Sequence, residues 1–246
     1  MYGKVYLVGC GTGDVELLTL KSHKIITKIA DVVFIDHLIA QEIIDIIPPS
    51  TKKVFVGKQK GFHSVKQEKI NELLIEYAKK GLSIARLKSG DPYIFGRGSE
   101  EAITLSSENI EVEVIPGISS ALAAPLLAGI APTARGYATN LSIVSAHLSG
   151  NRVNLEWIPL LKMSNHTVVV LMGVSRAKEI SSCALKIGVN MSMDVAIISN
   201  ASRPNQSVRI GVLKELKELC EDVQRPAIIV LGDVVKLHEI LPKLGD

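Results

Sequence analysis

LSIARLKSGDPYIFGRGSEEAITLSS, residues 82–107, is the stretch on which the fold turns. A strand-like run at 83–87 enters the tight turn Ser89-Gly90-Asp91-Pro92. An apolar step, Tyr93-Ile94-Phe95, leads to Gly96-Arg97-Gly98, and a helical pattern follows at 100–107. Strand, glycine-rich loop and helix in that order form the repeating unit of a parallel α/β sheet. Glycine and proline at this density mark a loop whose backbone comes close to something. Loops at strand ends are where such proteins keep their sites. An ordinary connection with an Asp turn and a Ser cap accounts for the same spacing.

Outward from this unit the alternation continues. Strand-like runs lie at 5–8, 32–35, 53–56 and 112–115, with helical patterns at 16–29, 39–46 and 67–80. In the last of these, Ile70, Leu73, Leu74 and Tyr77 form an apolar stripe with Lys, Asn and Glu outside it. A mainly parallel sheet with helices on both faces is expected. Pro116-Gly117 marks the expected boundary between a domain 1–115 and a domain 116–246. The second half begins with a short helix at about 119–128. Strands follow at 139–145, 167–171, 195–198, 207–211 and 227–231, with helices at 176–186, 212–221 and 234–241. Fewer helices per strand predict a mixed sheet with antiparallel pairs.

Composition narrows the function. The chain has 246 residues, 47% hydrophobic and 4% aromatic, so its core is mostly aliphatic. A net charge of +3, with no basic stripe carrying interleaved aromatics, argues against a nucleic-acid partner. Cys10, Cys183 and Cys220 are widely spaced and form no CxxC pair, and the six histidines show no HxxxH spacing. No disulfide framework and no metal site are expected, and a reducing cytoplasm is the expected location. With a strand-like run at 4–8, no signal peptide is expected. Residues 114–134 carry no charge over a length that could cross a bilayer, but Pro116, Pro125 and Pro132 would break a spanning helix.

Two constellations carry chemistry. Gly9-Cys10-Gly11-Thr12-Gly13 directly follows the first strand, and Asp36 ends the second. That pairing suits a nucleotide or S-adenosylmethionine, although Asp14 stands outside the GxGxxG pattern and a plain glycine turn fits as well. Arg97 and Glu100, three apart, would share one face at a helix start. An arginine between glycines suits bidentate binding of a carboxylate, and a carboxylate beside it could stabilise a cation or move a proton. A surface ion pair is the plainer account. The segments 201–206 (ASRPNQ) and 225–227 (RPA) read alone as connectors.

Taken together, VYLVGCGTGDVELLTL (5–20), GKQKGFHSVKQEKIN (57–71), LKSGDPYIFGRGSEE (87–101), VIPGISSALAAPLLAGIAPTARG (114–136), VVVLMG (168–173), ASRPNQ and RPAIIVLGDVV (225–235) resemble the tetrapyrrole methylase family. The GRGxEE, HSxxQ and ASRPxQ forms are similar to its branch acting on uroporphyrinogen III. The resemblance implies a two-domain α/β homodimer with S-adenosylmethionine between the domains, and S-adenosylhomocysteine as product. It implies two C-methylations of a tetrapyrrole, giving precorrin-2, with no metal and no membrane. On it, the first glycine loop faces the substrate trough, with Thr12 at the edge of the cofactor site. The cofactor contacts are Ser89, Gly90, Asp91 and Ile94, then Ser119 and Ser120, Met172, Ala201 and Ala227. Arg97, Glu100 and Asp36 are the implied catalytic residues, and Lys58, Arg135 and His147 lie in matching motifs as trough candidates.

Three positions depart from the family pattern. GPGDP is usual where Gly11–Val15 reads GTGDV, and GGDP where SGDP stands. Two missing prolines leave the first loop less rigid, and Ser89 adds a Cβ where close backbone approach is expected. The alternatives are a methylase acting on a later corrin intermediate, diphthine synthase, a nucleotide-dependent oxidoreductase, and a non-catalytic cofactor-binding homologue. With no dehydrogenase or chelatase module in the sequence, methylation alone is expected.

Overall fold

The computed structural model describes residues 2–57, 66–148, 150 and 152–243. The chain divides into two compact units, Met1–Ser119 and Ser120–Asp246.

The first unit is built on five parallel strands: β1 (Val5–Gly9), β2 (Val32–Ile35), β3 (Lys52–Phe55), β4 (Ile84–Lys88) and β5 (Val112–Ile115). Their spatial order is β3-β2-β4-β1-β5. Four short helices join them: α1 (Leu20–Lys24), α2 (Gln41–Asp45), α3 (Gln67–Lys79) and α4 (Gly98–Ser107). Both faces of the sheet are buried, as a parallel sheet requires. Val33 and Ile35 of β2 pack with Ile25, Ile26 and Ile43 on one face. Val32 and Phe34 pack with Ile70, Leu74 and Leu105 on the other. The helices therefore cover both faces, as the alternation predicts.

The second unit holds β6 (Asn140–Ser145), β7 (His166–Leu171), β8 (Asp194–Ser199), β9 (Ser207–Val212) and β10 (Ala227–Leu231), in the order β6-β7-β10-β8-β9. β6 and β7 are parallel, while β10 runs antiparallel to both β7 and β8, and β8 to β9. The expected mixed sheet is present. α5 (Ser120–Leu127) packs Ala121 and Ala124 with Val169, Ile198 and Ile228, and α6 (Ala177–Lys186) packs Ile180 and Ala184 on the opposite face. A short α-helix, α7 (Leu216–Leu219), follows β9. None of the helices in the described residues is long and apolar enough to cross a membrane. The uncharged stretch at 114–134 holds the end of β5 and then the eight-residue α5, with Pro125 inside it.

Three expected helices are different in the structure. Residues 16–29 are interrupted: a 3-10 turn at Val15–Leu17 ends in extended backbone, and Thr19 starts α1 anew by accepting a hydrogen bond from Ser22 N at 3.0 Å. A hydroxyl at that point offers the backbone a cap in place of a continuous helix. At 212–221 the strand β9 runs on to Val212, and only α7 remains helical in the α sense. Residues 234–241 form a 3-10 helix, Asp233–Glu239.

Candidate active site

The carboxyl edge of the parallel sheet is closed by backbone. Gly90 N donates to Gly11 O at 2.7 Å, and Gly11 N to Gly90 O at 3.2 Å. A Cβ on Gly117 would lie 2.2 Å from Gly90 O, and one on Gly9 would lie 2.4 Å from Gly117 N. The loops after β1, β4 and β5 thus meet with no side chain between them. Asp91 ties the same loops: its Oδ2 accepts from Gly117 N at 3.1 Å and its Oδ1 from Tyr93 N at 2.8 Å. The close approach falls on Gly90, one residue beyond the half-buried Ser89, so the added Cβ at 89 does not stand at this contact. Asp14, which the usual pattern shares, caps the turn that follows by accepting from Glu16 N at 2.8 Å.

This geometry bears on the nucleotide alternative. A dinucleotide grip needs free amides of a glycine loop at the start of a helix that follows the strand. Here Gly11 N is bonded to Gly90, and the chain passes a 3-10 turn before α1 begins at Leu20.

Beyond the turn, the loop folds on Pro92. Gly98 N donates to Pro92 O at 3.0 Å, and a Cβ at Gly96 or Gly98 would come within 2.8 Å or 2.5 Å of that oxygen. Phe95 and Arg97 take left-handed backbone, φ 52° and 58°. Such strain in non-glycine residues clusters at functional sites. Arg97 stands at the start of α4, and its Nε and Nη2 donate to the two oxygens of Glu100 at 3.0 and 2.7 Å. The expected pair is therefore formed, bidentate and half exposed. The Arg97 hydrogen bond holds the Glu100 carboxyl below its ordinary value.

Asp36 follows β2 at the same edge. Its Oδ2 accepts from Arg86 Nη2 at 3.0 Å, and its Oδ1 from His37 N at 2.7 Å, with His37 Nδ1 also at 2.7 Å. Burial pushes this carboxyl up, but the Arg86 guanidinium and His37 outweigh it and hold it below its ordinary value. Arg86 belongs to a buried set that sequence reading missed. Arg86 is 1% exposed and Glu101 0%. Glu101 Oε1 accepts from Arg86 Nε at 3.3 Å, Lys88 Nζ at 2.9 Å and Gln67 Nε2 at 2.9 Å. Burial and the adjacent guanidinium hold the Lys88 ammonium below its ordinary range, against the pull of Glu101. The available signal was two cations at alternate positions of a strand, Arg86 and Lys88. On a sheet buried on both faces these must meet an acid.

In the second unit, strand register brings Met172, Ala201 and Ala227 to one end of the sheet. Ala227 stands opposite Ser199 and Ile228 opposite Leu171, so the start of β10 adjoins the ends of β7 and β8. Met172 (φ 57°) directly follows β7, Ala201 lies two residues past β8, and Ala227 is the first residue of β10. Gln206 pins the 201–206 loop, accepting from Ser202 N at 2.9 Å and donating to Leu127 O at 3.3 Å. Ser120 opens α5, and Ser119, the last residue of the first unit, is buried, as is Thr12. His147 lies just past β6 and Arg135 in an exposed turn closed by Ala134 and Ala138. Lys58 and the start of the HSxxQ motif lie outside the described residues. Among the described residues, no group of three or more His, Cys, Asp or Glu side chains comes together to hold a metal.

A parallel unit with a polar, strained site at its carboxyl edge, followed by a mixed unit, places the chain among α/β proteins that bind ligands at strand ends. The tetrapyrrole (corrin/porphyrin) methylase family matches residues 4–217, and the chain belongs to it. It is 44% identical over 244 residues to an S-adenosyl-L-methionine-dependent uroporphyrinogen III methyltransferase of Methanosarcina barkeri, covering 98% of this chain and 95% of that one. It is 46% identical over 243 residues to a siroheme synthase of Actinobacillus pleuropneumoniae serotype 7, covering 99% of this chain but 50% of that one. The chain thus spans about half the length of the siroheme synthases it matches. A uroporphyrin-III C-methyl transferase from Thermus thermophilus, solved with S-adenyl homocysteine, superimposes with a TM-score of 0.83 at 36% identity, covering 96% of this chain and 94% of that one.

Proposed function

We propose that this chain transfers methyl groups from S-adenosylmethionine to carbon atoms of uroporphyrinogen III, in two steps that give precorrin-2. The observation that carries the proposal is the likeness to the Methanosarcina barkeri methyltransferase along nearly the whole of both chains. The siroheme synthase likeness supports the substrate class over only half of those proteins.

The residues fit such a cofactor. Ile94 and Met172 present exposed apolar side chains, the kind of surface an adenine or thioether packs on. Asp91, Ser89, Ser119 and Ser120 offer polar groups, and Gly90, Ala201 and Ala227 are backbone contacts in the proposal, with Thr12 at the edge. S-adenosylmethionine supplies an already activated sulfonium methyl. A reduced pyrrole carbon is an enamine-like nucleophile, so the protein's part is alignment and stabilisation of charge on the ring.

Arg97 would anchor one of the eight substrate carboxylates through the guanidinium fork now engaged by Glu100. Glu100 or Asp36 would accept the pyrrole N–H or take the proton lost from the ring. Arg135 and His147 are candidate trough residues in the same proposal, as is Lys58. A homodimer in the cytoplasm also belongs to it.

The test is an anaerobic incubation of the purified chain with uroporphyrinogen III and methyl-labelled S-adenosylmethionine, read by mass analysis of the tetrapyrrole. Two added methyl groups are expected. S-adenosylhomocysteine binding without transfer would overturn the substrate assignment.

A further inference from the structure

Asp36 is one of four charged side chains that meet in the first unit, and the proposed chemistry leaves the other three without a role. Arg86 and Lys88 project from β4, and Glu101 from the first turn of α4. Stability alone is a weak account of them. Burying a charge costs several kcal/mol, and well-packed apolar residues in place of a buried ion cluster are often as stable or more so. On the same face of the sheet Ile84, Phe34 and Leu105 are buried and apolar.

The geometry of Arg86 is that of a brace. Nη2 reaches Asp36, Nε reaches Glu101 and Nη1 donates to Leu87 O at 3.3 Å, so the planar guanidinium is held on three sides. Asp36 is fixed in turn at both oxygens, by Arg86 and by His37. Glu101 N donates to Arg97 O at 3.3 Å, which places the buried acid in the turn that carries Arg97 and Glu100. One guanidinium therefore links the strand end bearing Asp36 to the helix bearing the Arg97–Glu100 pair.

We propose that Arg86, braced by Glu101, is a positioning residue for methyl transfer: it fixes the Asp36 carboxylate in one orientation relative to the first turn of α4. This role rests on the proposed function, in which Asp36 acts on the tetrapyrrole. Among the described residues, the groups that face Asp36 are Arg86 from β4 and His37 from its own turn, with Lys88 and Glu101 behind Arg86.

The test compares wild type, Arg86→Lys and Arg86→Met as full chains. Arg86→Lys keeps the charge but loses the fork that spans two carboxylates. Its kcat is expected to fall about 10- to 100-fold, with KM for uroporphyrinogen III and S-adenosylhomocysteine affinity within about threefold of wild type, because the lost interaction is one of alignment. In Arg86→Met the acid limb of the kcat profile should move to higher pH, since the cation favouring the ionised carboxyl is gone. The Asp36 carboxyl titration, followed by carbon-13 NMR and assigned with Asp36→Asn, should move the same way without any turnover being needed. A folded Arg86→Lys with wild-type kcat, or an unmoved Asp36 titration in a folded Arg86→Met, would overturn the positioning role alone. If Arg86→Met does not fold, the kcat of Arg86→Lys decides. Wild-type protein that transfers no methyl would overturn the functional proposal and this role with it.

Discussion

Replacing Glu101 with leucine removes the acceptor at the centre of the buried cluster while keeping a side chain of similar size. Glu101 Oε1 is the partner that Lys88 Nζ has among the described residues, at 2.9 Å, and Arg86 would keep only Asp36 and a carbonyl. Lys88 would then stay charged without a partner or give up its proton. Neutralising an ammonium of ordinary pKa costs about 4.6 kcal/mol at pH 7 and about 1.9 kcal/mol at pH 9, which sets a ceiling. Wild-type Lys88 is already held below its ordinary range, so the loss measured is the part that Glu101 now offsets. Removing one member of a buried pair costs about 3–5 kcal/mol in comparable settings, and a loss near the lower end is expected at pH 7.

The sign of the pH dependence follows from proton uptake. The unfolded chain keeps the Lys88 proton up to the ordinary value of 10.5, whereas the folded variant has lost it at lower pH. Unfolding of the variant therefore takes up a proton, and its deficit against wild type shrinks as pH rises through the window between the variant's folded value and the wild type's own lowered value. The assay is urea unfolding at pH 7 and pH 9, followed by far-ultraviolet circular dichroism. The single tryptophan, Trp157, is buried in the second unit, so its fluorescence reports separately on the part left intact. A deficit under about 1 kcal/mol that is flat with pH would refute the electrostatic account of this cluster, since that is the size of an exposed pair.

Three further outcomes follow from the same geometry. Gly117→Ala should destabilise the first unit by about 1–3 kcal/mol or more and weaken S-adenosylhomocysteine binding in calorimetry, because its Cβ would sit 2.2 Å from Gly90 O; wild-type stability and affinity would show that the loops yield freely. Arg97→Ala should leave thermal stability nearly unchanged, within about 1 kcal/mol, because its pair with Glu100 is half exposed, yet abolish most turnover in the labelled-methyl assay. Full turnover in that variant would remove Arg97 from the site. Cys10 and Cys220, whose thiols burial pushes up to about 12 and about 11, should resist iodoacetamide at pH 8 in the folded protein, with Cys183 alkylated first when the adducts are mapped by mass spectrometry.

What could be read from residues alone follows the range of the forces involved. The strand Val-Val-Phe-Ile at 32–35 is buried on both faces, and its unbroken apolar run said so. The Arg97–Glu100 pair spans a single helical turn, so its spacing was enough to predict it. Strand order was not legible: β1 lies between β4 and β5, partners 79 and 107 residues away by register, Val5 with Ile84 and with Val112. The Arg86 cluster was not legible because its ion pairs join residues 15 and 50 positions apart, beyond any local spacing. The glycines of the first loop could be read as points of close approach, but not that Gly90 and Gly117 were what they approached. The break in the helix at 16–29 came from one threonine hydroxyl, a local competitor that hydrophobic periodicity does not register.

The backbone contact of Gly9, Gly90 and Gly117 also limits how this chain can diverge. A side chain at Gly9 or Gly117 collides with main chain, which cannot be trimmed by a compensating substitution as a neighbouring side chain can, and Gly90 holds left-handed backbone at φ 71°. Changes at these positions would have to come together with a shift of whole loops, a step that single-residue drift does not reach. The exposed Tyr93, Ile94 and Phe95, which project from the same loop beyond that fixed base, carry no such restriction. New ligand preferences in descendants of this sequence, natural or selected in the laboratory, should therefore accumulate at the loop tips while the base stays invariant.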